Sequence, residues 1–154
     1  MVEFKPVVFK LGEEEYGVDI TVVQGIENVL PIVPIHNINE NIKGIINLRG
    51  KVIPVYSLRK KFGMPNVSYT DDTKFIIAKA GDDITIALEV DMVEDIQNIK
   101  EENIHAVPKI IVTKTTEYYN KLININGRII VMLDVSKLMK EEEVEELQKA
   151  IENI

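Results

Sequence analysis

Two histidines, His36 and His105, are the residues whose type most readily suggests chemistry. Neither has neighbours in a metal-ligand spacing such as His-x-x-x-His, and both fall in polar connections, so both read as plain surface histidines. The absence of cysteine excludes disulfides, thiolate metal sites and a Cys nucleophile, and fits a reducing cytoplasm. Gly12, Gly17 and Gly25 are isolated and form no phosphate-cradling loop. Asp71-Asp72 and Asp82-Asp83 sit in turn sequences, where Asp bonds nearby backbone. Asp91, Glu94 and Asp95 form one acidic cluster beside Val93 and Ile96. A cation site or acid/base pair there is a weaker reading than a solvated strand edge, whose charges deter unwanted pairing. No cofactor and no metal is implied, and the chain reads as a non-enzyme.

The residue that stands out is Arg49. The run Gly44-Ile45-Ile46-Asn47-Leu48 ends in Arg49-Gly50, and Lys51-Val52-Ile53-Pro54-Val55-Tyr56 follows directly. Glycine tolerates positive φ, so the two runs read as a β-hairpin with Arg49 and Gly50 at its tip. A guanidinium held there offers a fork of donors and a stackable plane to a partner.

The elements that would carry this tip are mostly strands. At 154 residues, with 45% hydrophobic and 28% charged residues, the chain is one compact unit or two small lobes sharing a core. No apolar run reaches a membrane span, and no signal-peptide pattern opens the chain. A net charge of −7 with scattered basic residues argues against nucleic acid and speaks for solubility. Residues 7–11 and 16–20 alternate at period two about a polar turn and read as a first hairpin. Residues 21–29 fit a strand or a short helical turn. Pro31 and Pro34 mark an extended connection, and Ile38 and Ile42, four apart, predict a short helix over 37–43. Ser57 caps a helical turn that Gly63 ends. Residues 64–72 are the best linker. Strands follow at 75–78 and 84–90, and a hairpin over 122–133 closes at Asn126-Gly127. Residues 136–154 read as a helix with Leu138, Val144, Leu147, Ile151 and Ile154 on the stripe it packs against its own protein.

The second half restates the first. A shift of 77 carries Asn47, Leu48, Gly50, Lys51, Val52, Ile53 and Val55 onto Asn124, Ile125, Gly127, Arg128, Ile129, Ile130 and Met132. A shift of 70 carries Val18, Asp19, Ile20, Val23 and Ile26 onto Leu88, Glu89, Val90, Val93 and Ile96. The difference of seven falls in a longer connection over 99–119. Two similar β units related by a pseudo-twofold are therefore expected, each too small to stand alone, with a concave seam between them. The lobes are expected at about 7–66 and 73–140, in a single domain over 1–154 with a C-terminal helix at 136–154.

Gly-Ile-Ile-Asn-Leu-Arg-Gly-Lys-Val-Ile-Pro-Val, from Gly44, closely resembles the signature of the CheW-like coupling domain family of bacterial chemotaxis. Residues 9–20, Glu89-Val90-Asp91-Met92-Val93, Thr116-Glu117-Tyr118 and Gly127-Arg128 are similar to its other landmarks, so the resemblance covers about 7–147. The length matches stand-alone members rather than those carrying kinase or receiver domains. The resemblance implies a mainly β fold of two five-stranded SH3-like barrels around a shared core, with short helices. It implies a cytoplasmic, non-enzymatic adaptor, monomeric when isolated and not inserted in the membrane. Such an adaptor couples methyl-accepting chemoreceptors to the regulatory domain of the histidine kinase CheA at membrane receptor arrays. Carried over by position, the interface residues are Asn47, Leu48, Arg49 and Gly50, with Val93 and Ile96 as a weaker pair; Leu48, Val93 and Ile96 also suit plain core. The alternatives are a paralogue serving another receptor array or a non-flagellar pathway, and a small-molecule-binding β-barrel domain.

Two departures from the family pattern matter. Gly25 stands where the family commonly has the Glu that would pair with the hairpin arginine. Glu27 is the candidate substitute, pointing the same way only if the strand register there is undisturbed. Ser57 stands where an Asp often follows the first Pro-Val-x, whereas Asp134 keeps it in the second half.

Overall fold

The structure, a computed structural model, describes residues 5–36, 38–81, 83–94, 99–110 and 117–152. In chain order the strands are β1 (Pro6–Leu11), β2 (Glu14–Asp19), β3 (Val23–Asn28), β4 (Ile42–Leu48), β5 (Lys51–Ser57), β6 (Lys74–Lys79), β7 (Thr85–Val90), β8 (Met92–Val93), β9 (Ile104–Ala106), β10 (Tyr119–Ile125) and β11 (Arg128–Leu133). Helices α1 (Leu58–Lys61) and α2 (Glu141–Glu152) complete the set, with 3-10 turns at Ile20–Val22, Glu101–Asn103 and Val135–Lys137. The fold is mainly β, in two sheets. One has five strands in the order β3-β6-β7-β5-β4, the other six in the order β8-β1-β2-β11-β10-β9.

The sheets are not the two halves of the sequence, which corrects the lobe boundaries at 7–66 and 73–140. The five-stranded sheet uses the continuous stretch from β3 to β7. The six-stranded sheet takes β1 and β2 from the start of the chain and β8 to β11 from its end. One lobe is therefore inserted into the other. The chain crosses between them at the 3-10 turn Ile20–Val22 and at Asp91, while 64–72, expected as the linker, lies between two strands of one sheet. Local periodicity gives strands and turns but carries no signal for which hairpin pairs with which.

The repeat nevertheless holds at the level of single pairings. Ile46 faces Ile53 in β4–β5, and their counterparts 77 residues on, Ile123 and Ile130, face each other in β10–β11. The register slip between Ile42 and Gly44 recurs 77 residues later between Tyr119 and Lys121. The parallel pairing Val55↔Ala87 becomes Met132↔Gly17 when Val55 moves by 77 and Ala87 by 70 the other way. That contact favours a small residue, since a Cβ on Gly17 would lie 2.7 Å from the Met132 sulfur and the methionine would have to shift. Strand β9 is an addition to the six-stranded sheet; its nearest equivalent on β4 is the single bridge Val33↔Ile45.

Strands β1 and β6 are apolar on both faces, and the core divides accordingly. Val7, Phe9 and Leu11 of β1 join Ile76 and Ala78 of β6 in a cluster shared by both sheets, with Tyr56, Leu58, Leu88, Leu133, Leu138 and Leu147. The alternate residues face smaller private cores: Phe75 and Ile77 with Ile46, Ile53, Val55 and Ala87 in one lobe, and Val8 with Ile99, Ile123, Ile130 and Met132 in the other. Each buried side chain of this size contributes about 1.5–3 kcal/mol, so the larger part of the hydrophobic stabilisation lies where neither lobe can form it alone.

Several local expectations change. The helix over 37–43 does not form; Asn37 lies outside the described residues, and Asn39 Oδ1 accepts from Asn41 N at 2.8 Å in a side-chain turn that leads into β4. The C-terminal helix begins at Glu141 rather than Ser136. Leu138 and Met139 are buried ahead of it, and Glu143 Oε1 accepts from Lys140 N at the helix start. Leu147 is buried in the shared core with Val144 and Ile151 packed against it, as the stripe required; Ile154 lies outside the described residues. His105 sits on β9 rather than in a connection. Ser57 and Asp134, 77 apart, do the same work: each caps the turn after its strand, accepting from Lys60 N and Ser136 N respectively.

The crossover at Asp91 is held by charge. Asp91 accepts a forked pair from Arg59, Nε to Oδ1 at 2.9 Å and Nη2 to Oδ2 at 2.5 Å, and a bond from Gly12 N at 2.7 Å. Glu94 pairs with Arg128 and Lys10. The acidic cluster is thus spent on internal ion pairs, apart from Asp95, which lies outside the described residues. The Arg59 guanidinium holds the Asp91 carboxyl below its ordinary range, partial burial opposing and the Gly12 N–H assisting. A carboxyl whose folded pKa is depressed stabilises fully above its unfolded value, about 3.9, and loses that contribution as pH falls through the folded one. We expect the melting temperature of the parent to fall more steeply from about pH 5 to about pH 2 than that of Asp91→Asn, which keeps an acceptor for Gly12 but no charge. Parallel profiles in thermal melts at each pH would refute the assignment.

Candidate partner-binding site

The tip of β4–β5 is a two-residue turn with positive φ at both central residues, 50° at Arg49 and 90° at Gly50. Its counterpart at β10–β11 has 52° at Asn126 and 87° at Gly127. Both are turns of the type that matches the right-handed twist of the flanking strands. Both are braced alike: Gly50 N donates to Asn47 Oδ1 at 2.9 Å, and Gly127 N to Asn124 Oδ1 at 3.0 Å. Asn126 is a residue this backbone favours. Arg49 is not, because a side chain of that kind in the left-handed region costs about 1–2 kcal/mol.

What holds Arg49 is Glu27. Arg49 Nη2 donates to Glu27 Oε1 at 2.8 Å, with the arginine side chain 76% exposed and the glutamate 25%. The register of β3 is irregular between Val23 and Gly25 and regular afterwards, with Gly25, Ile26 and Glu27 opposite Ile77, Ile76 and Phe75. Glu27 therefore lies on the same face as Gly25 and reaches the tip from one pleat further along. So open an ion pair contributes about 0–1 kcal/mol, which does not exceed the cost of the arginine's backbone.

Beside the pair is a groove of about 210 Å³ lined by Gln24, Gly25, Glu27, Leu48, Arg49 and Lys51, with Ile53 and Ile77. Nothing in the backbone asks for glycine at position 25: its φ is not left-handed, and an added Cβ would meet only Glu27 Oε1, at 3.9 Å. The groove continues, through Gln24, Lys51 and Ile53, into a second of about 580 Å³ bounded by Gln148, Ile151 and Glu152 of α2 and by Ile84 and Thr85.

The structure thus brings Asn47, Leu48, Arg49 and Gly50 together. Asn47 braces the turn, Leu48 is half-buried against the five-stranded sheet's private core, and Gly50 supplies the second positive φ in open space. Val93 is not part of this group: it lies on β8 in the other sheet, opposite Phe9, and packs on the shared core. Ile96 lies outside the described residues. Sequence reasoning did not single out Gln24 and Lys51, which line the groove; alternation in β3 and the basic residue after Gly50 were the only signals. Among the described residues no group of His, Asp and Glu could hold a metal ion, and no helix is long and apolar enough to cross a membrane.

If the left-handed backbone rather than the ion pair dominates at the tip, Arg49→Asn should stabilise the chain by about 0.5–1 kcal/mol. Urea unfolding measures this, and a destabilised variant would show that the Glu27 pair is structural.

Three comparisons bear on what such a surface does. The sequence pattern of the CheW-like domain family matches residues 5–143. A chemotaxis protein CheW from Klebsiella aerogenes is 37% identical over 137 residues, covering 89% of this chain and 82% of that protein. One from Bacillus subtilis is 30% identical over 138 residues, covering 90% and 88%. Among solved structures, the scaffolding protein TtCheW from Thermoanaerobacter tengcongensis superposes with a TM-score of 0.80 at 33% identity, over 93% of this chain and 92% of that one.

Proposed function

Since the chain belongs to the CheW-like domain family, we propose that it is a non-enzymatic cytoplasmic adaptor that couples methyl-accepting chemoreceptors to the histidine kinase CheA. The observation that carries the reading beyond family membership is Arg49: a cation in an unfavourable backbone conformation, at the tip where the other copy of the same hairpin keeps asparagine. A residue that costs stability where its twin does not is a residue retained for contact. Asn47, Leu48, Arg49 and Gly50, with Gln24 and Glu27 beside them, form the docking surface. Val93, on the other lobe, and Ile96 form a secondary contact. The adaptor works by offering both lobes to its partners from one body, and a specific interface of this kind buries roughly 800 Å² per partner.

Arg49→Ala tests the reading. A central interface arginine is typically worth about 2 kcal/mol or more, so binding to a receptor fragment or to the CheA regulatory domain should weaken at least about thirty-fold with the fold intact. Calorimetric titration against each partner measures it. In reconstitution with CheA and a receptor fragment, the parent should bring the kinase under receptor control and the variant should not. Kinase activity indifferent to the parent would defeat the proposal.

Gly25 favours a second reading, a paralogue serving another receptor array. The open groove at this residue would select a receptor with more bulk or charge at the facing position. Pull-downs against several receptor classes separate the two readings: retention of a single, unusual class supports the paralogue, and equal retention of all classes removes it.

A further inference from the structure

The two crossovers between the lobes are built differently, although the repeat makes them equivalent. At the first, Asp19 Oδ1 accepts from Thr21 N and Thr21 Oγ1 at 3.0 and 2.9 Å, bonds that close within three residues. Moving 70 residues on places Asp91 in the position of Thr21. There the side chain reaches both lobes. Arg59, from α1 in the inserted lobe, grips it through two nitrogens, Nε and Nη2, and Gly12 N, from the β1–β2 turn of the other lobe, donates to the same carboxylate. Arg59 is also anchored to its own lobe through Nη1, which donates to Pro65 O at 2.9 Å. The residue 77 after Arg59 is Ser136, which among the described residues bonds to nearby Asp134.

We infer that Arg59 and Asp91 are positioning residues: their forked ion pair, completed by the Gly12 N–H, fixes the angle between the two lobes. The repeated unit does not need this clamp in order to fold, because its other copy lacks it. Nor does such a pair add much stability over a packed apolar pair in its place, since the Arg59 and Asp91 side chains are only 12% and 25% exposed and desolvating them opposes their attraction. What the clamp supplies is direction. A planar guanidinium bonded at two atoms fixes orientation as well as distance, and it does so where the chain passes from one lobe into the other.

The functional half of the inference rests on the coupling reading above: an adaptor that carries a signal between partners on different lobes loses it if the lobes rock. The geometric half does not. The chain has no cysteine, so Lys79→Cys on the five-stranded sheet and Lys121→Cys on the six-stranded one, both exposed, place one spin label on each lobe. Pulsed electron paramagnetic resonance on the full chain then gives the inter-lobe distance distribution. The parent should show one narrow distance, and Arg59→Gln and Asp91→Asn should broaden it. In reconstitution, receptor control of the kinase should fall about two- to thirty-fold. Arg59→Lys keeps the charge with a single donor group and should give intermediate width; it carries the test if the neutral variants do not fold. A distribution as narrow as the parent's, whatever the change in melting temperature, overturns the inference, because the clamp is then merely structural. A broadened distribution with undiminished coupling overturns its functional half. A parent that does not couple removes the adaptor reading and leaves the distance result to decide the geometry.

Discussion

Neither lobe of this protein can cover its own strands, and the rest of the structure follows from that. Strands β1 and β6 are apolar on both faces, so each needs cover from its own sheet's private core and from the opposite lobe. A unit of half of 154 residues is near the size at which a core stops being self-sufficient. The chain resolves this by running β3 to β7 as an insertion between β2 and β8, which places the shared core at the centre and leaves two crossovers. The parallel pairings β5–β7 and β2–β11 lock the arrangement. Each pairs a larger residue, Val55 or Met132, with a small one, Ala87 or Gly17. A methyl group on Gly17 would displace the Met132 side chain, so it is packing and not turn geometry that favours glycine there.

A duplicated fold provides its own control. Wherever the two copies agree in register, bulge position and turn conformation, the shared feature is a demand of the backbone. Ser57 and Asp134 illustrate this: the residue types differ, yet each accepts from a backbone N–H two or three residues on, so the departure from the family pattern at Ser57 leaves the local structure as it was. Where the copies agree in backbone and differ in cost, the difference needs another cause. Arg49 and Asn126 share a φ within a few degrees, and only the asparagine suits it.

Much of this was legible in the sequence because it is local. The hairpins, the caps at Ser57 and Gly63, the Asn-Gly tip and the apolar stripe of α2 all depend on residues a few positions apart. The repeat was legible because it preserves residue type at a fixed shift. Three things were not. The insertion of one lobe in the other depends on pairings between distant strands, which alternation cannot rank. The stretch 37–43 has helical spacing, but Asn39 turns the chain with its own side chain. The pairing of Asp91 with Arg59 joins residues 32 apart whose charges, read singly, look like solvated edges. The Glu27–Arg49 pair stood between these cases: Glu27 was a named candidate, but only the regular register after Gly25 settles that it faces the tip.

The two asymmetries of the molecule belong to one pattern. At the tip, a cation occupies a backbone conformation that resists it; at a crossover, a mostly buried ion pair stands where the other copy manages with local bonds. The first is a local expense, on the order of a single buried side chain at most, which the shared core is large enough to absorb; the second gives back in ion pairing much of what desolvating its charges takes. Their positions differ in what they act on. The tip faces outward beside an open groove and alters what the protein can touch. The crossover faces inward and alters how the two lobes sit when touched. A scaffold needs both properties, because a surface that recognises a partner transmits nothing unless the body behind it keeps its shape.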